Sequence, residues 1–163
     1  MAAVRAIAVP PGALLAAYAG RGHVDAYAAD LSRQVDLPDF IRAFYDSPAF
    51  RPERWILAAA GMRGTAADLA ALADGRGSRF AAWTLEARRP DEILLAAFST
   101  RSWLAVTPRG AGCTLHFGSA VVARADGTLG AGFHALLGFH RLYSRILLAA
   151  AARRLARAPV ATA

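Results

Sequence analysis

The sequence predicts an α+β domain in which a curved antiparallel sheet wraps around a long C-terminal helix. Two observations carry that prediction. Residues 131–158, AGFHALLGFHRLYSRILLAAAARRLARA, form one nearly unbroken helical pattern. Residues 80–123, directly before them, alternate with a period near two and are interrupted by short turn signals. Short loops make consecutive strands antiparallel neighbours, and such a sheet needs a covering element.

The elements follow in order. Residues 1–22 form a lead segment, and Pro10, Pro11 and Gly12 break its apolar stretch before a secretory h-region can develop. Residues 23–30 alternate as a first strand. Asp36 then reads as an N-cap, with Pro38 and Asp39 in the first turn of a helix through Ile41, Phe44 and Tyr45. Ser47 and Pro48 end it. Residues 52–60 read as a second helix presenting Trp55 and Ile56 inward, closed by Gly61 and Gly64. Thr65 with Asp68 three places on predicts the cap of a third helix, which stops at Asp74-Gly75. Four strands are expected at 80–88, 92–99, 102–107 and 113–123, giving five with the first. Their junctions carry Arg-Arg-Pro-Asp, Thr100-Arg101 and the run from Pro108 to Gly112, all hairpin chemistry. Asp126-Gly127 is expected to turn the chain, and Gly130 and Gly132 to lead into the last helix. On that helix Arg141, Arg145, Arg153 and Arg157 recur at i+4 steps as a solvent stripe, with Leu136, His140, Tyr143, Leu147 and Ala150 opposite. The domain is thus expected to span residues 23–158, with a short tail at 159–163.

Composition excludes several function classes. A chain of 163 residues that is 56% hydrophobic suits one domain with a full core. Cys113 is the single cysteine, so neither a disulfide framework nor a thiolate zinc quartet is available. The formal charge is +7 with every basic residue an arginine. These arginines are scattered through an alanine-rich chain without aromatic interleaving, which argues against a nucleic-acid partner. No stretch reaches the roughly eighteen charge-free apolar residues of a spanning helix, so stable membrane insertion is not expected and a cytoplasmic location is. Monomer and homodimer both remain open. No nucleophile elbow, phosphate loop, metal set or dinucleotide fingerprint is present, so no catalytic residue, metal or cofactor is expected.

The order of elements resembles the helix-grip fold of the START-like superfamily, which includes polyketide cyclases and lipid-binding proteins. FHALLGFHRLYSRILLAAAARRL (133–155) and FAAWTLEARRPDEILLAAF (80–98) resemble, within it, an uncharacterised bacterial family of single-domain proteins. The resemblance implies a small apolar or amphipathic molecule held between sheet and helix.

The candidate ligand-binding residues are Trp103, His116, Phe117, Leu136, His140, Tyr143 and Leu147. His140 and Tyr143 lie one turn apart and together offer a donor and an acceptor to a bound oxygen. His134 and His140 are six apart, on different sides of a helix, unlike a zinc pair. Glu86 shares a strand face with Thr84 and Arg88, which the register can bring beside Arg101 and His116; on the concave side this row supplies candidate polar cavity residues, Glu86 and Arg101 among them, and on the convex side it is the solvated face. Trp55, Trp83, Trp103, Phe98 and Phe117 are expected in the core or on a cavity wall. The leading expectation is a non-enzymatic binder with an apolar pocket of at least ~300 Å³. A cyclase- or hydrolase-like enzyme requires two or more of Glu86, Arg101, His116 and His140 to converge inside the cavity. A structural role, or peripheral membrane attachment through the last helix, is the third alternative.

Overall fold

The computed structural model describes residues 3–123 and 133–158, the last helix by its backbone alone as far as residue 137. The expected turn at Asp126-Gly127, Gly130, Gly132 and the side chains of His134 and Leu136 lie outside the described residues. Among the described residues seven strands form one sheet: β1 (Arg5–Ile7), β2 (Gly22–Leu31), β3 (Arg79–Phe80), β4 (Trp83–Arg89), β5 (Glu92–Ala97), β6 (Thr100–Arg109) and β7 (Gly112–Val122). Their spatial order is β1-β2-β7-β6-β5-β4-β3, with every neighbouring pair antiparallel. Between β2 and β3 come α1 (Leu37–Tyr45), a 3-10 turn at Pro48–Phe50, α2 (Arg51–Ala59) and α3 (Ala66–Ala73). The long α4 (Phe133–Arg157) closes the chain and packs on β2, β7 and α1. This is the helix-grip arrangement.

Local chemistry accounts for the ends of these elements. Asp36 accepts from the Asp39 amide at 2.8 Å, and Pro38 pre-sets the first turn of α1. Thr65 and Asp68 form a reciprocal capping box, with bonds of 3.1 and 2.8 Å, that starts α3. At the other end of α3, Arg88 donates to the carbonyls of Leu72 and Ala73 at 2.8 and 2.6 Å, satisfying acceptors that a helix terminus leaves open.

The sheet has seven strands where five were expected, because two are very short. β1 spans three residues and β3 two, too few to display an alternation. The predicted strand at 80–88 divides where Ala81 takes a left-handed conformation, φ 52°. Conversely, β6 and β7 run through most of the expected loop between them, leaving Gly110-Ala111 as the turn.

Two cores result, one on each face of the sheet. The larger lies under the helices and joins Leu95, Leu104, Leu115 and Phe117 of the sheet to Phe40 and Phe44 of α1 and to Leu148 and Ala152 of α4. Leu147, Leu148, Ala151, Ala152 and Leu155 of α4 are therefore buried, Phe139, Leu142 and Ile146 stay exposed, and Arg141, Arg145, Arg153 and Arg157 are exposed as the i+4 spacing predicted. The smaller core lies on the outer face. There a 3-10 turn at Leu14–Tyr18 packs Leu15 and Tyr18 on Ala26, Leu94, Trp103 and Ala120. Gly118 makes room for it, since a Cβ there would come within 2.5 Å of Leu15 and 3.0 Å of the Trp103 ring. Glu92, only 6% exposed, fastens this layer by accepting from the Leu14 amide at 2.9 Å, Trp103 Nε1 at 2.7 Å and Arg89 at 2.7 Å.

Three aromatic or aliphatic expectations need correction. Trp55 and Ile56 do not face inward but are 73% and 69% exposed. Glu53 and Leu57, four apart on α2, take the inward positions, and the 100° step per residue turns Trp55 and Ile56 away. Phe98 is not in the core either, because it occupies the β5–β6 turn with φ 53° and is 76% exposed.

Candidate functional site

Alternation along the strands decides what meets the helices. On β6 and β7, Ser102, Phe117 and Ser119 point to the helix side, and Trp83 and Ala97 join them from β4 and β5. Facing them are Phe44 of α1, Phe50 of the 3-10 turn, Glu53 and Leu57 of α2, and His140, Tyr143, Ser144 and Leu147 of α4. Between these walls lies a cavity of about 200 Å³, with Phe98 at its exposed edge. That is smaller than the expected ~300 Å³, because the aromatic rings of α1 fill the sheet's hollow: Phe44 packs against Phe117 with centroids 4.7 Å apart and the rings tilted by 41°.

The walls mix aromatic and aliphatic side chains with the hydroxyls of Thr100, Ser102 and Ser144 and with two hydrogen-bonded groups. The first is Glu53, whose Oε2 accepts from the Tyr143 hydroxyl at 3.0 Å. Burial pushes the Glu53 carboxyl above its ordinary range, with the Tyr143 hydrogen bond partly opposing it, and burial likewise raises the phenol of Tyr143. The second is a chain of hydrogen bonds through Ser119. Its hydroxyl donates to Asp25 Oδ1 at 2.9 Å and lies 2.7 Å from His140 Nε2. The serine's one proton goes to Asp25, so Nε2 carries the proton shared with Oγ. Asp25 also accepts from the Tyr27 hydroxyl at 3.3 Å, and its Oδ2 lies 3.6 Å from His23 Nε2. Burial lowers the His140 pKa, which keeps the imidazole neutral near pH 7.

Ser119, His140 and Asp25 have the composition of a catalytic triad but not its order. In a triad the carboxylate orients the imidazole and the imidazole takes the serine proton. Here the carboxylate binds the serine directly and lies 3.9 Å from the imidazole nitrogen that faces it. The group ties α4 to β7 and β2 and gives the cavity a polar wall.

The candidate residues divide between the two faces. Phe117, His140, Tyr143 and Leu147 meet at the cavity. Trp103, His116, Glu86 and Arg101 do not, and their place under the last helix is corrected: strand parity sends them to the outer face. Trp103 bonds Glu92, with its ring 5.8 Å from that of His116. His116 Nε2 lies 3.1 Å from the Thr107 hydroxyl, and burial lowers its pKa. Arg101 pairs with Glu86 at 2.6 Å and donates to the Tyr18 hydroxyl at 2.9 Å, fastening the N-terminal turn. Arg88 leaves the expected row with Glu86 because a bulge between Leu85 and Ala87 shifts it toward α3. Leu136 lies outside the described side chains. Of the four residues a cyclase or hydrolase required, only His140 faces the cavity.

No family model matches the chain, and no curated protein matches it in sequence. Among solved structures it is similar to CalU16 from Micromonospora echinospora, at 13% identity and a TM-score of 0.36, over 94% of each chain.

Glu53, Ser119 and Asp25 were visible in the sequence only as ordinary polar residues. Ser119 falls two places after Phe117 and so shares its strand face. Glu53 falls four before Leu57 on one helix face. Those offsets are the signals that place them on the cavity, once the inward face is known. No helix among the described residues is long and apolar enough to cross a membrane, and no described cluster of His, Cys, Asp or Glu is arranged to hold a metal ion.

Proposed function

We propose that the chain binds one small amphipathic molecule between the sheet and α4, without transforming it. The observation that carries this reading is a cavity rich in aromatic rings whose polar wall groups include two hydrogen-bonded pairs, Glu53 with Tyr143 and Ser119 with His140. Apolar pockets with a few convergent polar groups are the usual form of small-molecule sites. Size limits the ligand. A cavity of about 150 Å³ accommodates benzene, so the 200 Å³ here suits a single substituted ring or a short branched chain, not a long-chain lipid. The helix-grip architecture supports the START-like resemblance at the level of fold.

Native mass spectrometry of protein purified from its own cells tests the reading. A retained small molecule, released on denaturation, is the expected result. A bare polypeptide mass that also shows no thermal shift with any ring-sized compound would sink it.

A further inference from the structure

The chain contains 19 arginines, yet among the described residues none lines the cavity. Its one described lining carboxylate is Glu53. That carboxylate makes no ion pair with any described residue. Its neighbour Arg54 turns instead to Asp46, at 3.3 Å, and stacks over Phe80. Only the Tyr143 hydroxyl reaches Glu53, through Oε2, and Oε1 has no hydrogen-bond partner among the described residues. Phe44, Phe50, Trp83, Phe117 and Tyr143 line the same space. Aromatic rings present negative faces to a cation, and a desolvated cation gains most from them. A ligand carboxylate would meet repulsion from Glu53, with no arginine among the described lining residues to offset it.

We propose that the cavity selects a small organic ammonium ion, with Glu53 taking the charge and the surrounding rings the carbon skeleton. This rests on the reading of the cavity as a ligand site and adds the charge of what it holds. Glu53 and the Ser119–His140 pair then divide the work. Glu53 neutralises the ammonium, while His140 and Ser119 offer hydrogen bonds to a second polar substituent.

The test uses three probes of one shape and different charge: benzylammonium, benzyl alcohol and benzoate, titrated by calorimetry into the full chain. Benzylammonium is expected to bind at least tenfold more tightly than benzyl alcohol, with benzoate weakest. In Glu53→Gln the ratio between amine and alcohol affinities is expected to fall to within about threefold. The wild-type ratio stands without the variant, so a misfolded substitution would not leave the matter open. The pH dependence supplies a second readout. Tyr45 of α1 and Tyr143 of α4 stay neutral across the acidic range, Arg54 is paired with Asp46, and Asp25 lies behind Ser119. Glu53 and His140 are therefore the cavity groups that titrate. Benzylammonium affinity is expected to fall as pH drops through the Glu53 transition, and Glu53→Gln removes that part of the fall. Benzoate binding as tightly as benzylammonium, or an amine-to-alcohol ratio that survives Glu53→Gln, overturns the proposal. Benzyl alcohol binding with no amine preference sinks the ammonium inference alone. If none of the three binds at ~1 mM, the ligand-site reading falls with it.

Discussion

Glu53 shows what burial does to one side chain. Its folded-state pKa is raised by desolvation, so folding favours the protonated form. The stabilising contribution is complete below the pKa of the unfolded carboxyl, and it is lost as pH rises through the higher folded value. Gln keeps an acceptor for Tyr143 and carries no charge to desolvate. We therefore expect Glu53→Gln to raise Tm by about 2–4 °C near neutral pH, the shift that about 1 kcal/mol produces in a domain of this size. The gain should vanish at about pH 4, where both forms are neutral. Thermal melts of both proteins across that range check it, and a gain that grows toward acid pH would contradict it. The same residue shows why part of the site was illegible. As a letter in Pro-Glu-Arg-Trp it is an ordinary first-turn acid of a helix, and nothing nearby in sequence marks it as buried.

At the scale of elements, helix α3 depends most plainly on local chemistry. It is eight residues long, and an isolated helix of that length is not stable in water. Its capping box and the Arg88 guanidinium at its far end hold the termini. Thr65→Ala removes one of the two reciprocal bonds and is expected to destabilise the protein by about 1 kcal/mol, read from urea denaturation with an unchanged slope. A change below about 0.3 kcal/mol would show that packing of Leu69 and Leu72 alone holds the helix in place. Such caps were legible because donor and acceptor lie three residues apart. The bulge in β4 was not, since its extra residue is defined only by pairing with β5.

For the whole molecule, the distinguishing feature is a sheet covered on both sides by unequal layers. The helices form the thick layer that leaves a cavity, and the N-terminal turn forms the thin one that seals the outer face through Glu92 and the Tyr18, Glu86 and Arg101 group. Ala97, 6% exposed on the cavity wall, tests the importance of the open space. Ala97→Leu adds apolar carbon worth about 0.8 kcal/mol per buried CH₂, against a packing strain of about 1–3 kcal/mol. Stability should change little, within about 3 kcal/mol, while binding of a ring-sized ligand is lost. Undiminished binding in this variant, followed by calorimetry, would place the ligand elsewhere.

The local devices were readable along the chain: the caps at Asp36 and Thr65, the hairpins between residues 83 and 122, and the arginine stripe of α4. Each follows from groups a few residues apart, whose geometry one turn or one strand pair sets. Which strand face meets the helices was settled by long-range packing. Alternation sorts Trp103 and His116 from Phe117 and Ser119 without saying which set faces inward, since both faces carry apolar residues and both are covered. The convergence of Glu53, Ser119 and His140 depends on α2, β7 and α4 closing over one space. Long-range packing creates that space, and no spacing within the chain encodes it.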